Sequence, residues 1–144
     1  MTGRASEGER SVRLFADNLT DAVKVWIERP FEATPGATYR VSVSFDVGTD
    51  AFEIGAWEVI GAASASDPTA AFAAGGVDGI GDFLRLGPAA TPDGEFVFLP
   101  RSFSQTVRAG PEGELWVGAG VWGTFETAAE YFLDSVTVEI QREG

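Results

Sequence analysis

The chain of 144 residues contains no cysteine and no histidine. Without cysteine there is no disulfide bond, no thiolate nucleophile and none of the zinc sites that use cysteine ligands. Without histidine the chain lacks the commonest general base and the commonest ligand of transition metals. A metal site in this chain would therefore be built from oxygen atoms, which favours calcium or magnesium.

Positive charge is also scarce. The 22 Asp and Glu residues outnumber the 10 Lys and Arg residues, among which Lys24 is the single lysine, and the formal net charge is −12. Because a negative protein repels polyanions, we expect neither nucleic acid nor an anionic membrane surface as a partner. No run of about 18 apolar residues is present, so the sequence predicts no membrane insertion.

The N-terminus differs from the rest of the chain. Residues 1–9 are small or charged and follow no pattern, so we expect a disordered arm there, and they contain no apolar stretch that would indicate a signal peptide. Residues 10–142 form the predicted domain. Overall, 44% of the residues are hydrophobic and 12% are aromatic, which is too apolar for a disordered chain. A chain of this length buries about 70% of its unfolded surface around a single core.

Hydrophobic residues recur with a period of two, which is typical of half-buried β-strands. Between residues 37 and 47, apolar side chains occupy the odd positions and polar side chains occupy the even ones from Arg40 onwards. Pro35 and Gly36 form a tight turn that should make the strands on either side of it antiparallel neighbours, and Pro100 should separate two short strands. The other predicted strands cover residues 11–17, 23–32, 52–63, 95–99, 102–108, 114–123 and 131–140.

These strands are short, are separated by turn-forming residues and have no helical pattern between them. They predict an all-β fold, an antiparallel two-sheet β-sandwich of the jelly-roll type, in one domain. The exception is the segment 64–93, which is rich in Ala, Gly, Asp and Pro and largely without pattern. Long loops of this kind in compact domains are often functional.

The strand over residues 114–123 carries two tryptophans on one face. Because side chains alternate, Trp116 and Trp122 share this face with two glycines. Flat indoles beside bare glycines are typical of a surface on which a sugar ring can stack through its C–H groups. The alternative is that this face packs beneath the segment 64–93, with the glycines allowing close approach. The candidate ligand-binding residues are Trp116, Trp122, Trp26 and Trp57.

One carboxylate falls where the pattern expects an apolar side chain. In the strand over residues 131–140, Asp134 shares the phase of four apolar residues. A buried carboxylate needs a cation or several hydrogen-bond donors. One candidate partner is a structural calcium ion shared with Glu126 and with Asp21 of the first turn. The alternative is an aspartate near a strand end that bonds to backbone N–H groups or to an arginine.

Catalytic chemistry has little support in the sequence. A pair of carboxylates can cleave a glycosidic bond, but 22 acidic residues offer so many pairs that none is informative. No arrangement of a nucleophile and a base stands out. We therefore expect no enzyme.

Two segments, residues 11–47 and 113–140, resemble the corresponding parts of a group of uncharacterised bacterial proteins, most of them secreted or lipid-anchored. The resemblance includes a polar turn with Asp21, a Pro-containing turn before Tyr39, and a Gly-rich strand that leads to Glu126. It implies an extracellular or cell-surface location.

Residues 131–140, YFLDSVTVEI, are also similar to the last strand of jelly-roll carbohydrate-binding modules of the galactose-binding-like type. In many of those modules the matching aspartate helps to hold a structural calcium ion, which gives Asp134 its candidate role. The resemblance implies a non-catalytic binding module for extracellular carbohydrate. The alternative is a structural or protein-interaction domain of a secreted or surface protein, which would show as a homo-oligomer or a larger complex.

Overall fold

The computed structural model describes residues 11–17, 23–52, 57–67, 69, 83–123 and 128–144. The expected arm over residues 1–9 lies outside these ranges. The described residues contain eight β-strands: β1 (Val12–Asp17), β2 (Val23–Glu32), β3 (Thr38–Thr49), β4 (Trp57–Ser64), β5 (Leu84–Pro88), β6 (Val97–Arg108), β7 (Glu114–Gly123) and β8 (Ala128–Arg142). No helix in this part of the chain is long and apolar enough to cross a membrane.

The strands form two four-stranded sheets. Sheet I has the order β1-β8-β3-β6, and sheet II has the order β2-β7-β4-β5. Every pairing is antiparallel. This order is that of an eight-stranded jelly roll. The predicted all-β, two-sheet antiparallel sandwich is therefore confirmed.

The core lies between the two sheets, and β3 illustrates how the sequence builds it. Tyr39, Val41, Val43, Phe45 and Val47 are all buried, and the polar side chains between them point outwards. Burial of an apolar side chain of this size contributes about 1.5–3 kcal/mol, so the alternation decides which face of the strand points inwards. The core residues that β7 contributes from the opposite sheet are Leu115, Val117, Ala119 and Val121.

The turn between β2 and β3 has the expected conformation but a different role. Gly36 has a φ of 73°, and the N–H of Ala37 donates to the carbonyl of Thr34 (3.1 Å), as in a type II turn. However, β2 pairs with β7, whereas β3 pairs with β6 and β8. The prediction that these strands are neighbours in one sheet is wrong, because the turn carries the chain from sheet II to sheet I.

Pro100 does not separate two strands. It lies within the continuous strand β6, opposite Asp46 of β3. Within the described residues β6 is an edge strand that pairs only with β3. A proline is tolerated on an edge strand because one of its two rows of N–H groups is not needed by a neighbouring strand. The sequence pattern alone does not tell an edge strand from a central one.

A β-bulge in β8 changes which face its side chains occupy. The register with β3 shifts between Ser44 and Asp46, and Ser135 has a φ of 52°. Before the bulge, Asp134 lies opposite Asp46 on the outer face of sheet I; after it, Val136 turns towards the inner face. The sequence pattern predicted that Asp134 shares a face with Val136. This prediction is wrong, because the extra residue of the bulge reverses the alternation.

Candidate functional site

Three of the four tryptophans lie on the outer face of sheet II. Trp122 of β7 stands between Lys24 of β2 and Glu58 of β4. Trp116 is on the same strand and the same face, and Trp26 of β2 is opposite Gly120. Trp116 and Trp122 are six positions apart, which corresponds to about 20 Å along an extended strand. The register thus brings these indoles onto one surface.

Trp57 lies inside the sandwich. Its side chain is 0% exposed, on the face of β4 that also carries Val59 and Ala63. Its ring centroid is 5.7 Å from that of Tyr131. Trp57 therefore cannot join a platform on the outer face. The sequence carried a signal for this position, because Glu58 takes the outward side of the strand and its neighbours must point inwards.

Two of the outer indoles belong to a small apolar cluster of their own. Trp26 and Trp122 pack against Ile60, Ala62 and Phe83, and these last three are buried on the outer side of the sheet. Phe83, which belongs to the segment 64–93, thus covers part of this face. The alternative interpretation, in which the tryptophans pack beneath that segment, holds for this part of the surface. The indoles are half-buried, neither free nor enclosed.

Charged side chains stand around the indoles. Trp26 Nε1 donates a hydrogen bond to Glu28 (3.1 Å), and Glu58 forms an ion pair with Arg85. This hydrogen-bonded pair raises the pKa of Arg85, so its guanidinium remains charged. Lys24 Nζ lies 5.4 Å above the ring of Phe83, where desolvation lowers the pKa of the lysine. The rim of the face therefore offers both hydrogen-bond donors and acceptors.

The indole nitrogens contribute less than the rings. Within the described residues, Nε1 of Trp57, Trp116 and Trp122 is buried without a hydrogen-bond partner. An unsatisfied buried N–H costs about 1–3 kcal/mol. These tryptophans therefore stabilise the fold, or serve a ligand, through the apolar surface of the ring.

Gly120 has a structural reason to be a glycine. A Cβ atom at this position would lie 2.1 Å from the carbonyl oxygen of Val25 and 2.6 Å from Cα of Trp26. Real Cβ contacts are never so short, so a larger residue would push β2 away from β7. This glycine serves the close approach of β2 and β7, not the approach of the segment 64–93 that the alternative interpretation expected.

The candidate calcium ligands are placed only in part. Asp134 is 9% exposed, and one of its carboxylate oxygens accepts a hydrogen bond from the backbone N–H of Ser135 (2.7 Å). Glu126 and Asp21 lie outside the described residues. Among the residues that are described, no group of three or more acidic side chains is placed to hold a metal ion. Calcium takes about six to eight oxygen ligands, so this site stays a prediction.

The structure also contains a groove that the sequence did not reveal. It lies at one edge of the sandwich, between β1 and β8 of sheet I and β2 of sheet II, and has a volume of about 420 Å³. Alternation in β8 predicted that Val136 and Val138 point inwards. Nothing in the sequence indicated that the sandwich stays open beside them, because that depends on where β1 begins. We call this the edge groove; its apolar walls include Val12, Ile27, Phe31, Val136 and Val138.

No protein-family model and no curated protein sequence matches the chain. Among solved structures, the chain is similar to the C-terminal domain of EclA, which is described as a sugar-binding protein. The sequence identity is 14%, the match covers 96% of this chain and 89% of that chain, and the TM-score is 0.38. A likeness this weak says nothing about what the present chain binds.

Proposed function

We propose that this domain is a non-catalytic binding module for carbohydrate, whose ligand lies along the outer face of sheet II on Trp26, Trp116 and Trp122. One observation carries the proposal: three half-buried indoles share one outward face of a single sheet. Trp57 is not included because it lies in the core. The location that goes with this function is extracellular or at the cell surface.

Half-burial suits an aromatic platform. An indole that is packed on one side against Ile60 or Phe83 has little conformational freedom left to lose when a ligand binds. Its open side presents a flat apolar surface to the C–H groups of a sugar ring. Donors on Lys24 and acceptors on Glu28 lie at the edge of the face, where the hydroxyl groups of the ligand would be.

The spacing of the indoles favours an oligosaccharide over a single sugar. Trp116 and Trp122 are about 20 Å apart along β7, which is longer than one sugar ring. A ligand that contacts both must therefore be a chain of several rings. We expect affinity to rise with chain length until both tryptophans are covered.

Affinity electrophoresis in gels that contain soluble polysaccharides tests the proposal. We expect at least one neutral polysaccharide to retard the wild-type protein, and Trp116→Ala and Trp122→Ala each to weaken that binding about tenfold, or about 1.4 kcal/mol. Trp57→Phe is the matched control, because it changes a tryptophan that no ligand can reach. The proposal is wrong if no polysaccharide retards the wild type, or if Trp57→Phe weakens binding as much as the outer substitutions do.

Tryptophan emission provides an independent measurement. The buried Trp57 should give a blue-shifted component that acrylamide does not quench, and the outer indoles should give a red-shifted component that it does quench. A bound polysaccharide should protect the second component, and this protection should hardly change with salt because the contacts are not between charges. Binding without protection would argue against stacking.

A protein-interaction role is the second candidate, and the edge groove favours it. Carbohydrate binding leaves the domain monomeric, whereas a protein interface in the groove appears as a larger complex. The two functions use different surfaces, so they can be tested separately.

A further inference from the structure

The edge groove opens directly onto the core. Its walls reach Val43 and Val117, which are buried, and its mouth is flanked by Val12 and Val136. Val12 is 45% exposed and Val136 is 44% exposed, which makes them two of the few large apolar side chains that the described residues leave open to solvent. Contiguous apolar surface of this kind commonly marks an interaction site.

A strand edge runs along the same groove. On one side, β8 pairs with β3 as far as Arg142; on the other side, β1 pairs with β8 only up to Leu133, opposite Val12. No other described strand pairs with β8 on this side. From Val136 to Ile140 the backbone therefore presents N–H and C=O groups that another strand can take up.

We propose that a second copy of this chain occupies the edge groove, with the two β8 strands pairing antiparallel around a two-fold axis at Val138. In this arrangement Val138 lies opposite the partner's Val138, and Val136 lies opposite the partner's Ile140. Sheet I continues across the two copies, and the apolar residues of both β8 strands line one shared interior. Such an interface is isologous, since the same surface is used by both copies.

The charge of Glu139 disfavours one neighbouring register. Centred on Val138, the pairing sets Glu139 opposite the partner's Thr137, whereas a register centred one residue later would set Glu139 against itself, which is unfavourable. The pairing is confined to the part of β8 after the bulge, because the bulge at Ser135 reverses the alternation before it.

The sequence before β1 is a poor alternative occupant. Of its first ten residues only Met1 and Ala5 are apolar, so it cannot supply the alternating apolar side chains that the groove accepts. The strand Val136–Ile140 has that alternation. A second copy is thus a better match to the groove than the chain's own N-terminal sequence.

A single cysteine tests the register, because the chain has no cysteine of its own. Directly opposite residues of an antiparallel pair have Cα atoms about 4.5–5.5 Å apart, within the range that a disulfide bond spans. We expect Val138→Cys to form a covalent dimer under mild oxidation. The control Leu84→Cys, on an exposed position of β5, should do so much more slowly. Equal rates for the two variants would overturn the register.

The mass of the protein in solution tests the dimer itself. We expect sedimentation or light scattering to show a dimer that forms at micromolar to millimolar concentration. Each copy carries a net charge of −12, so dimerisation should strengthen as salt shortens the screening length from about 10 Å at 0.1 M to about 3 Å at 1 M. A monomer at every concentration and salt level would overturn the proposal.

Two charge substitutions complete the test. Val136→Lys places an inward-pointing charge at the strand edge and should abolish the dimer. The domain should stay folded, because residue 136 is exposed to solvent in the single chain. Leu84→Lys, at a similarly exposed position that is 36% accessible on the other sheet, should leave the dimer unchanged. A dimer that survives Val136→Lys contradicts the proposal. Neither substituted residue is one of the three tryptophans on the outer face of sheet II, so polysaccharide binding should persist in both variants. A failure of the dimer can therefore be told apart from a failure of carbohydrate binding.

Discussion

The indole of Trp57 lies against Gly123, the residue opposite it on β7. A Cβ atom built on Gly123 would stand 2.1 Å from Cε3 of the indole. The glycine is therefore what makes room for the largest side chain of the core. This relationship explains both the burial of Trp57 and the absence of a side chain at the end of β7.

Substitution of Gly123 should show that the packing of Trp57 depends on this glycine. We expect Gly123→Ala to lower the free energy of unfolding by about 3 kcal/mol, because the new methyl group overlaps a ring that has no space to move into. In the double variant Gly123→Ala/Trp57→Phe the smaller ring leaves room, so the two effects should be less than additive. Urea unfolding of the four proteins measures this. Strict additivity would show that the two residues do not interact.

The hydroxyl of Tyr131 should stabilise the fold. Its Oη donates a hydrogen bond to the carbonyl of Ala89 (3.1 Å), in a buried position. Tyr131→Phe removes this hydrogen bond to the carbonyl, and we expect the free energy of unfolding to fall by about 1–2 kcal/mol. The control is Tyr39→Phe, in which the lost partner is the N–H of the exposed Thr34, so water can replace the hydroxyl. If Tyr39→Phe lowers the free energy of unfolding as much as Tyr131→Phe does, burial of the hydrogen bond is not the cause of the effect.

The strained backbone at the bulge predicts an unusual effect of glycine. Ser135 has a φ of 52°, a conformation that costs a non-glycine residue about 1–2 kcal/mol. We expect Ser135→Gly to leave stability unchanged or to raise it by up to about 1 kcal/mol, since relief of strain offsets the flexibility that glycine adds to the unfolded chain. Ser102→Gly, within β6, whose pairing with β3 has no register shift, should instead lower stability by about 1 kcal/mol. Thermal unfolding measures the stability of both glycine variants. Equal losses of stability would show that the backbone at the bulge is not strained.

Acid should weaken the contact between Asp67 and Thr69. The backbone N–H and the hydroxyl of Thr69 both donate to Oδ1 of Asp67 (2.8 and 2.6 Å), and these bonds lower the pKa of the carboxyl. Because the folded-state pKa lies below that of the unfolded chain, the stabilisation is complete above the unfolded-state pKa. It is lost as the pH falls through the folded-state pKa.

Carboxyl chemical shifts during an NMR titration measure this pKa directly. We expect Thr69→Ala to raise the pKa of Asp67 towards the ordinary range, and Thr69→Ser, which keeps the hydroxyl, to leave it low. If both variants shift the pKa alike, the hydroxyl is not the group that holds it down.

The sequence predicted the strands of this fold well because the period of two is a local property. The limits of β7 agree with the prediction, and the alternation in β3 identified its buried face. The pairing of strands was harder to predict. The turn at Gly36 specifies that the chain reverses, but not that it crosses to the other sheet. The bulge at Ser135 had no signal either, since a serine there is not the glycine that such a conformation favours.

The candidate site was predictable in outline only. Alternation in β7 placed Trp116 and Trp122 on one face, and the register of β2 sets Trp26, which was also a candidate, on the same face. The side that Trp57 takes was indicated only by the adjacent Glu58, because the rest of its strand is a nearly continuous apolar run without a clear period. The cover that Phe83 provides depends on a contact between distant parts of the chain, which no local pattern contains.

Pro100 affects whether further copies of the chain can add to the proposed dimer. Among the described strands, sheet I ends at β6 on one side, and there the proline leaves a gap in the row of donors that an incoming strand would need. The opposite margin, along Val136–Ile140, has no such gap. In the proposed dimer the partner takes up the margin at Val136–Ile140, so the margin left to each copy on the other side is the one that the proline interrupts, which disfavours growth into a fibre.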